Sequence, residues 1–104
     1  MDDTDLYSGL IRLHILYHAA RGPVYGFAMM EELGRHGYRL SAGTLYPILH
    51  GLERKGYLVS RAVRVPRGAS GGRRVYRATA LGRRALGVAK RRVRELFGEL
   101  FEKS

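Results

Sequence analysis

The sequence predicts a mainly helical α+β fold: three helices, a two-stranded β-hairpin, and a long closing helix. Three observations carry that prediction. A chain of 104 residues has room for one core. Its apolar content of 45% is enough to fill that core. The apolar period also changes twice, from helical to alternating near Tyr57 and back to helical at Thr79.

The first helix is expected over residues 5–20, where Leu6, Leu10, Leu13 and Tyr17 recur on one helical stripe. Gly22-Pro23 ends it, because proline disfavours helical geometry in the residue before it. A second, shorter helix fits residues 24–35 with Phe27, Met30 and Leu33 inward, and Gly37 is its stop. The third fits residues 42–55, with Leu45, Ile48, Leu49 and Leu52 inward. Tyr46, His50, Arg54 and Lys55 are left to its other faces. Ser41 is a natural cap, but it places Pro47 where a backbone donor is needed. Thr44 as the cap would put Pro47 in the first turn, and spacing alone does not choose between them.

From Tyr57 to Val65 the residues alternate, Gly68–Gly72 supplies a turn, and Val75–Ala78 reads as the return strand. An isolated hairpin is marginal in water, so it must lean on the helices. Thr79 then caps a helix of about 24 residues, about 36 Å long. Along it Leu86, Ala89, Val93, Leu96 and Leu100 step by three and four, and Phe97 and Phe101 widen the seam. The preceding elements already make a compact unit. This helix is therefore expected to find its partner in a second copy, giving a homodimer. Residues 1–79 would form the body and 80–104 the dimerisation helix of one structural unit.

The charge is distributed unevenly. Residues 1–53 hold four Arg against six Asp and Glu. Residues 54–94 hold fourteen Lys and Arg and no acid, and the last ten residues are again net acidic. Such a block suits a polyanion, because Lys and Arg gain affinity by releasing phosphate counterions. An Arg-rich solvated surface is the plainer alternative.

Other chemistries find little support. There is no cysteine, hence no disulfide, thiolate metal site or thiol nucleophile. His14 and His18 stand at i and i+4, a metal-compatible spacing, but the sequence offers no third ligand, so no metal is expected. Arg73-Arg74 after the glycines is not the Lys-Ser/Thr of a phosphate loop. No dinucleotide fingerprint, nucleophile–base pair or carboxylate dyad appears, so neither a cofactor nor catalysis is expected. The acidic N-terminus and the lack of a long apolar run argue against a signal or a membrane span, leaving the cytoplasm as the default.

Three helices followed by a basic hairpin is the order of a winged helix–turn–helix. The third helix would enter the major groove, and the hairpin, as a wing, would run along the backbone or into the minor groove. The residues from Leu40 through Ser41-Ala42-Gly43-Thr44-Leu45-Tyr46-Pro47 to Gly56-Tyr57-Leu58 closely resemble the recognition-helix signature of the PadR-like transcriptional regulators. Gly22-Pro23-Val24-Tyr25-Gly26-Phe27 is similar to the family's entry into helix 2, and Arg74–Thr79 to the strand leaving its wing. The resemblance spans about residues 6–90 and points to the compact subgroup with a single C-terminal helix, whose members are dimeric repressors.

That resemblance implies DNA contacts from Ser41, Thr44 and Tyr46, and from the wing around Gly71-Gly72-Arg73-Arg74; Gly43, within the same motif, is a further candidate. Tyr25 stands where the family often has His, a departure from its pattern, and is a further candidate for a backbone contact. His50 and Arg54 repeat on the exposed side of helix 3 and are candidates for base edges. Lys55 and Arg67 extend the basic surface, although Lys55 also complements the helix dipole. Some family members sense planar drugs or phenolic compounds, stacking them on a tryptophan, and this chain has none. Phe97 and Phe101 would serve a small aromatic or apolar effector, or simply pack the dimer.

The expected function is a homodimeric repressor on an inverted-repeat operator in double-stranded DNA. The rival is a basic RNA- or ribosome-associated module without sequence preference. A dimeric scaffold that binds no nucleic acid fits the seam but leaves the charge block unexplained.

Overall fold

The computed structural model describes residues 4–63 and 73–102. Its elements are α1 (Thr4–Arg21), β1 (Val24–Tyr25), α2 (Gly26–Arg35), α3 (Ala42–Arg54), β2 (Leu58–Val63), β3 (Arg73–Ala78) and α4 (Ala80–Phe101). The expected hairpin is present, with β2 antiparallel to β3 in a register that opposes Leu58 to Ala78 and Val63 to Arg73. Arg64, Val65, Arg67 and the Gly68–Gly72 turn lie outside the described residues.

A third strand joins that hairpin. Val24 and Tyr25, expected to open the second helix, instead pair with Tyr76 and Val75, so the sheet order is β1-β3-β2. The residues suit the role: Pro23 resists helix on its N-terminal side, and a β-branched residue and an aromatic follow it. Helix α2 therefore starts two residues late, at Gly26.

The core gathers α1, α2, α3, the inner face of the sheet and the start of α4. Leu45, Ile48, Leu49 and Leu52 of α3 are buried in it as their spacing predicts. Two other helices turn differently from expectation. In α1 the buried residues are Ile11, Ile15, Leu16 and Ala19, whereas Leu6 is 74% and Leu10 43% exposed. At about 3.6 residues per turn the two sets point to nearly opposite sides of the helix. The sequence shows both stripes and cannot say which one the core takes. In α2, Met29 and Leu33 are buried, Met30 is half-buried, and Phe27 is 67% exposed rather than inward.

The caps settle the helix boundaries. The backbone N–H of Thr44 donates to Ser41 Oγ at 3.3 Å, so Ser41 caps α3 and Pro47 lies inside the helix. The donor that Pro47 lacks would have served Gly43, whose exposed position leaves its carbonyl to solvent. Both α2 and α3 end in a Schellman motif. Gly37 (φ 91°) and Gly56 (φ 83°) take the left-handed position. Tyr38 then donates back to Leu33, and Tyr57 to Leu52, each pair also meeting at the core.

Thr79 joins the end of the hairpin to both its neighbours. Its N–H donates to the Tyr57 carbonyl, its hydroxyl donates to the Gly56 carbonyl, and its Oγ1 accepts from Gly82 N–H to cap α4. Gly82 is buried so closely on Tyr57 that a Cβ there would overlap the Tyr57 carbonyl. Arg83 donates to the Ala20 carbonyl at 2.8 Å, fixing α4 against the end of α1. The expectation that α4 has little to pack on within its own chain is thus wrong for its first half, and Leu86, placed in the intermolecular seam, belongs to the chain's own core. Beyond Leu86, Leu96, Leu100 and Phe101 are 69%, 72% and 85% exposed. The described chain accordingly measures 58 × 35 × 20 Å. No helix among the described residues is long and apolar enough to cross a membrane.

Candidate nucleic-acid interface

Helix α3 buries one stripe of leucines and isoleucine, which forces its remaining side outward. Gly43, Thr44, Tyr46, His50, Arg54 and Lys55 are all exposed. At the N-terminus, Ser41 Oγ also donates to Thr44 Oγ1 at 3.3 Å, so the cap orients the threonine hydroxyl. Tyr46 lies with its ring against Gly26, where an added Cβ would come within 2.7 Å of its Cζ. The absence of a side chain at Gly26 thus lets the first turn of α2 and the first turns of α3 close on each other. The Tyr46 and His50 rings are 6.3 Å apart, forming a continuous edge along the helix.

Tyr25 ends β1 with 38% exposure and precedes α2 without capping it through its side chain. Phe27, expected in the core, stands exposed in the first turn of α2. Further along α3 the expected set divides. Arg54 and Lys55 also border an apolar groove that runs between α1 and α4, together with Pro47 and Gly51.

The wing is anchored to α3 through a chain of side chains that the sequence did not signal. Glu53 Oε2 accepts from both Ser60 N–H at 3.1 Å and Ser60 Oγ at 2.7 Å. Arg74 Nε in turn donates to Ser60 Oγ at 3.2 Å. A carboxylate at the end of α3 therefore positions, through one serine, a guanidinium on the exposed face of β3. Beneath it, Tyr76 is fully buried. Burial pushes its phenol pKa up, Glu53 and Tyr46 add to that, and Arg74 opposes it, so the group stays neutral. Arg73 is exposed at the last register position before the turn, while Arg61 and Arg77 occupy exposed strand positions. Among the described residues no ion pair links Arg84, Arg91, Arg92 or Arg94 to Glu95, Glu99 or Glu102, which leaves the basic face of α4 uncompensated.

A second group of polar side chains lies apart from this surface. His14 and His18, seen in the sequence as a pair without a third ligand, are joined by Glu32 and His36 from the end of α2. Glu32 has a lowered pKa, chiefly through its hydrogen bond from Arg35, and is a carboxylate. His14 also has a lowered pKa, through burial first and then repulsion from His18 and His36, with Glu32 opposing.

A helix capped at its exposed N-terminus, a preceding helix closed on it through Gly26, and a basic two-stranded wing define a winged helix–turn–helix. The comparisons with known proteins agree. The model of the Transcriptional regulator PadR-like family matches residues 15–88. Transcriptional regulator Rv3488 of Mycobacterium tuberculosis is 54% identical over 90 residues, covering 86% of this chain and 81% of that protein. A PadR family transcriptional regulator from Eggerthella lenta superposes with a TM-score of 0.78 at 33% identity, over 96% of this chain and 88% of that one. A PadR-like regulator from Bacillus cereus, 22% identical, shares the fold with a TM-score of 0.78 over 96% of this chain and 99% of that one. The chain belongs to the PadR-like family of transcriptional regulators.

Proposed function

We propose that the protein is a homodimeric repressor that reads an inverted-repeat operator. The observation that carries the DNA-binding part is the joint presentation of Thr44, Tyr46 and His50 on α3 with Arg74 held through Ser60 and Glu53. Side chains fixed before binding lose less entropy on docking than free ones. Ser41, Gly43 and Tyr25 border the same surface, and Arg73 extends it toward the wing. Arg54 and Lys55, nearer the α1–α4 groove, fit contacts to the phosphate backbone better than contacts to base edges.

Dimerisation follows from the apolar face that α4 leaves open. Leu96, Phe97, Leu100 and Phe101 continue from Ala89 and Val93 beyond the core, and the exposed Leu6 and Leu10 of α1 border the same groove. Two copies joined there present two recognition helices, suited to half-sites about 10–10.5 base pairs apart or a multiple of that. Occlusion of a promoter is then the simplest mode of action. A small aromatic or apolar effector would share this face, in an open groove of ≈ 430 Å³ where Tyr17 joins Leu10, Val93, Phe97 and Phe101.

Fluorescence anisotropy on DNA from upstream of the protein's own gene tests the reading. Scrambled DNA and a structured RNA are the controls, at about 50 and about 200 mM salt. The expected result is a preference of about 10³-fold or more for one DNA at the higher salt, and its loss in the Thr44→Ala/Tyr46→Ala variant. Equal binding to all three that collapses with salt would leave only charge, as an RNA-associated module requires.

A further inference from the structure

Three of the four histidines in the chain converge at one place, where α1 crosses the end of α2. His14 is the centre, its ring centroid 4.7 Å from that of His18 and 4.9 Å from that of His36. Glu32 closes the group: its Oε1 lies 3.3 Å from His18 Nε2 and 3.5 Å from His36 Nε2. Donor atoms of His14, Glu32 and His36 all fall within 4.8 Å of one another. His14 Nε2 is buried and has no hydrogen-bond partner among the described residues.

We propose that His14, Glu32 and His36 bind one divalent transition-metal ion of the zinc class, with His18, outside their mutual spacing but 3.3 Å from Glu32 Oε1, turning in as the fourth ligand. A tetrahedral ion with ligands at about 2.0–2.1 Å separates its donors by about 3.4 Å, which is the spacing Glu32 Oε1 already keeps from two imidazoles. Three imidazoles and one carboxylate suit zinc and its neighbours rather than calcium or magnesium. The carboxylate also has an outer partner. Arg35 donates to Glu32 Oε2 at 2.9 Å, the oxygen turned away from the histidines, and so orients the oxygen that faces them. Entry is open, because the His18 and His36 side chains are 28% and 54% exposed.

The ion would fasten α1, which carries α4, to the end of α2, which leads into α3. Its occupancy therefore bears on how the recognition helix sits relative to the projecting helix. The proposal does not depend on the DNA-binding reading, since its first measurement contains no DNA.

Titration of the untagged full chain with zinc chloride by calorimetry is expected to show one ion per protomer. His14→Ala and His36→Gln should each weaken it by about 100-fold or more. His50→Ala removes the remaining histidine, on α3, and should leave it unchanged. Cobalt(II) should give the intense visible absorption of a tetrahedral site in the wild type and lose it in His36→Gln. That variant alters a surface side chain, so it reports on the ion even where His14→Ala fails to fold. Zinc should also raise the Tm of the wild type and not that of His36→Gln. Absence of saturable binding would overturn the proposal and leave a Glu32-centred hydrogen-bond cluster. Equal affinity in wild type and His36→Gln, or loss only in His50→Ala, would overturn it equally.

Discussion

The two ends of α4 carry apolar residues at the same steps of three and four, yet they face different surroundings. Gly82 and Leu86 are sealed against Tyr57, α1 and the sheet, while Leu96, Leu100 and Phe101 stand in solvent. The difference lies in what the rest of the chain places opposite each end. Toward the first half it brings the end of α1 and β3, with Arg83 bonded to the Ala20 carbonyl. Toward the second half it brings the exposed stripe of α1 and, farther off, the edge of α3 at Pro47, Gly51 and Arg54, across an open groove. Periodicity therefore specifies a face, and the partner of that face is decided elsewhere in the chain.

The comparison can be broken most forcefully at its buried end. Leu86→Ala should cost about 2–5 kcal/mol of stability, read by chemical denaturation, with no dependence on whether the protein is monomeric. A loss below about 1 kcal/mol would mean that α4 is not part of the core. At the open end, Leu96→Glu with Leu100→Glu should leave monomer stability within about 0.5 kcal/mol. It should weaken self-association by about 30-fold or more, measured by sedimentation velocity across a dilution series. Unchanged association would place the interface elsewhere. Between the ends, Thr79→Ala removes the cap of α4 and a bond to the Gly56 carbonyl, and should cost about 1 kcal/mol, seen as a lower midpoint in urea. Were that variant indistinguishable from wild type, the joint would contribute nothing that the packing of Leu86 does not.

The parts legible in the sequence were those with a single solution. Helix α3 has one apolar stripe, and the core takes it. Its cap is ambiguous because Pro47 makes Ser41 look costly; the exposure of Gly43 leaves water to serve the carbonyl that Pro47 does not. Helix α1 defeats its periodicity for the opposite reason, having two stripes of similar strength. Strand β1 is two residues long, too short for any period, and exists because β3 arrives some fifty residues later with an open edge. The interface shows the same division. Thr44, Tyr46 and His50 were visible as the outward side of one helix, whereas the Glu53–Ser60–Arg74 chain joins three elements and has no local signature. His14 and His18 announced themselves by spacing on one helix; Glu32 and His36 meet them only through the packing of α2 on α1.

The joint at Tyr57, Thr79 and Gly82 makes α4 a lever arm. The backbone that leaves α3 at Gly56-Tyr57 is the same backbone on which α4 is seated, by hydrogen bonds and by a glycine with no room for a side chain. Beyond Leu86, where the core lets it go, the rod runs on to Phe101 for about 22 Å. A rocking of about 9° there would move its far end by about 3.4 Å, the rise of one base pair. In the proposed dimer, two such arms clasped at their tips would act as a calliper, setting the span between the two copies of α3 from a point remote from the proposed DNA surface.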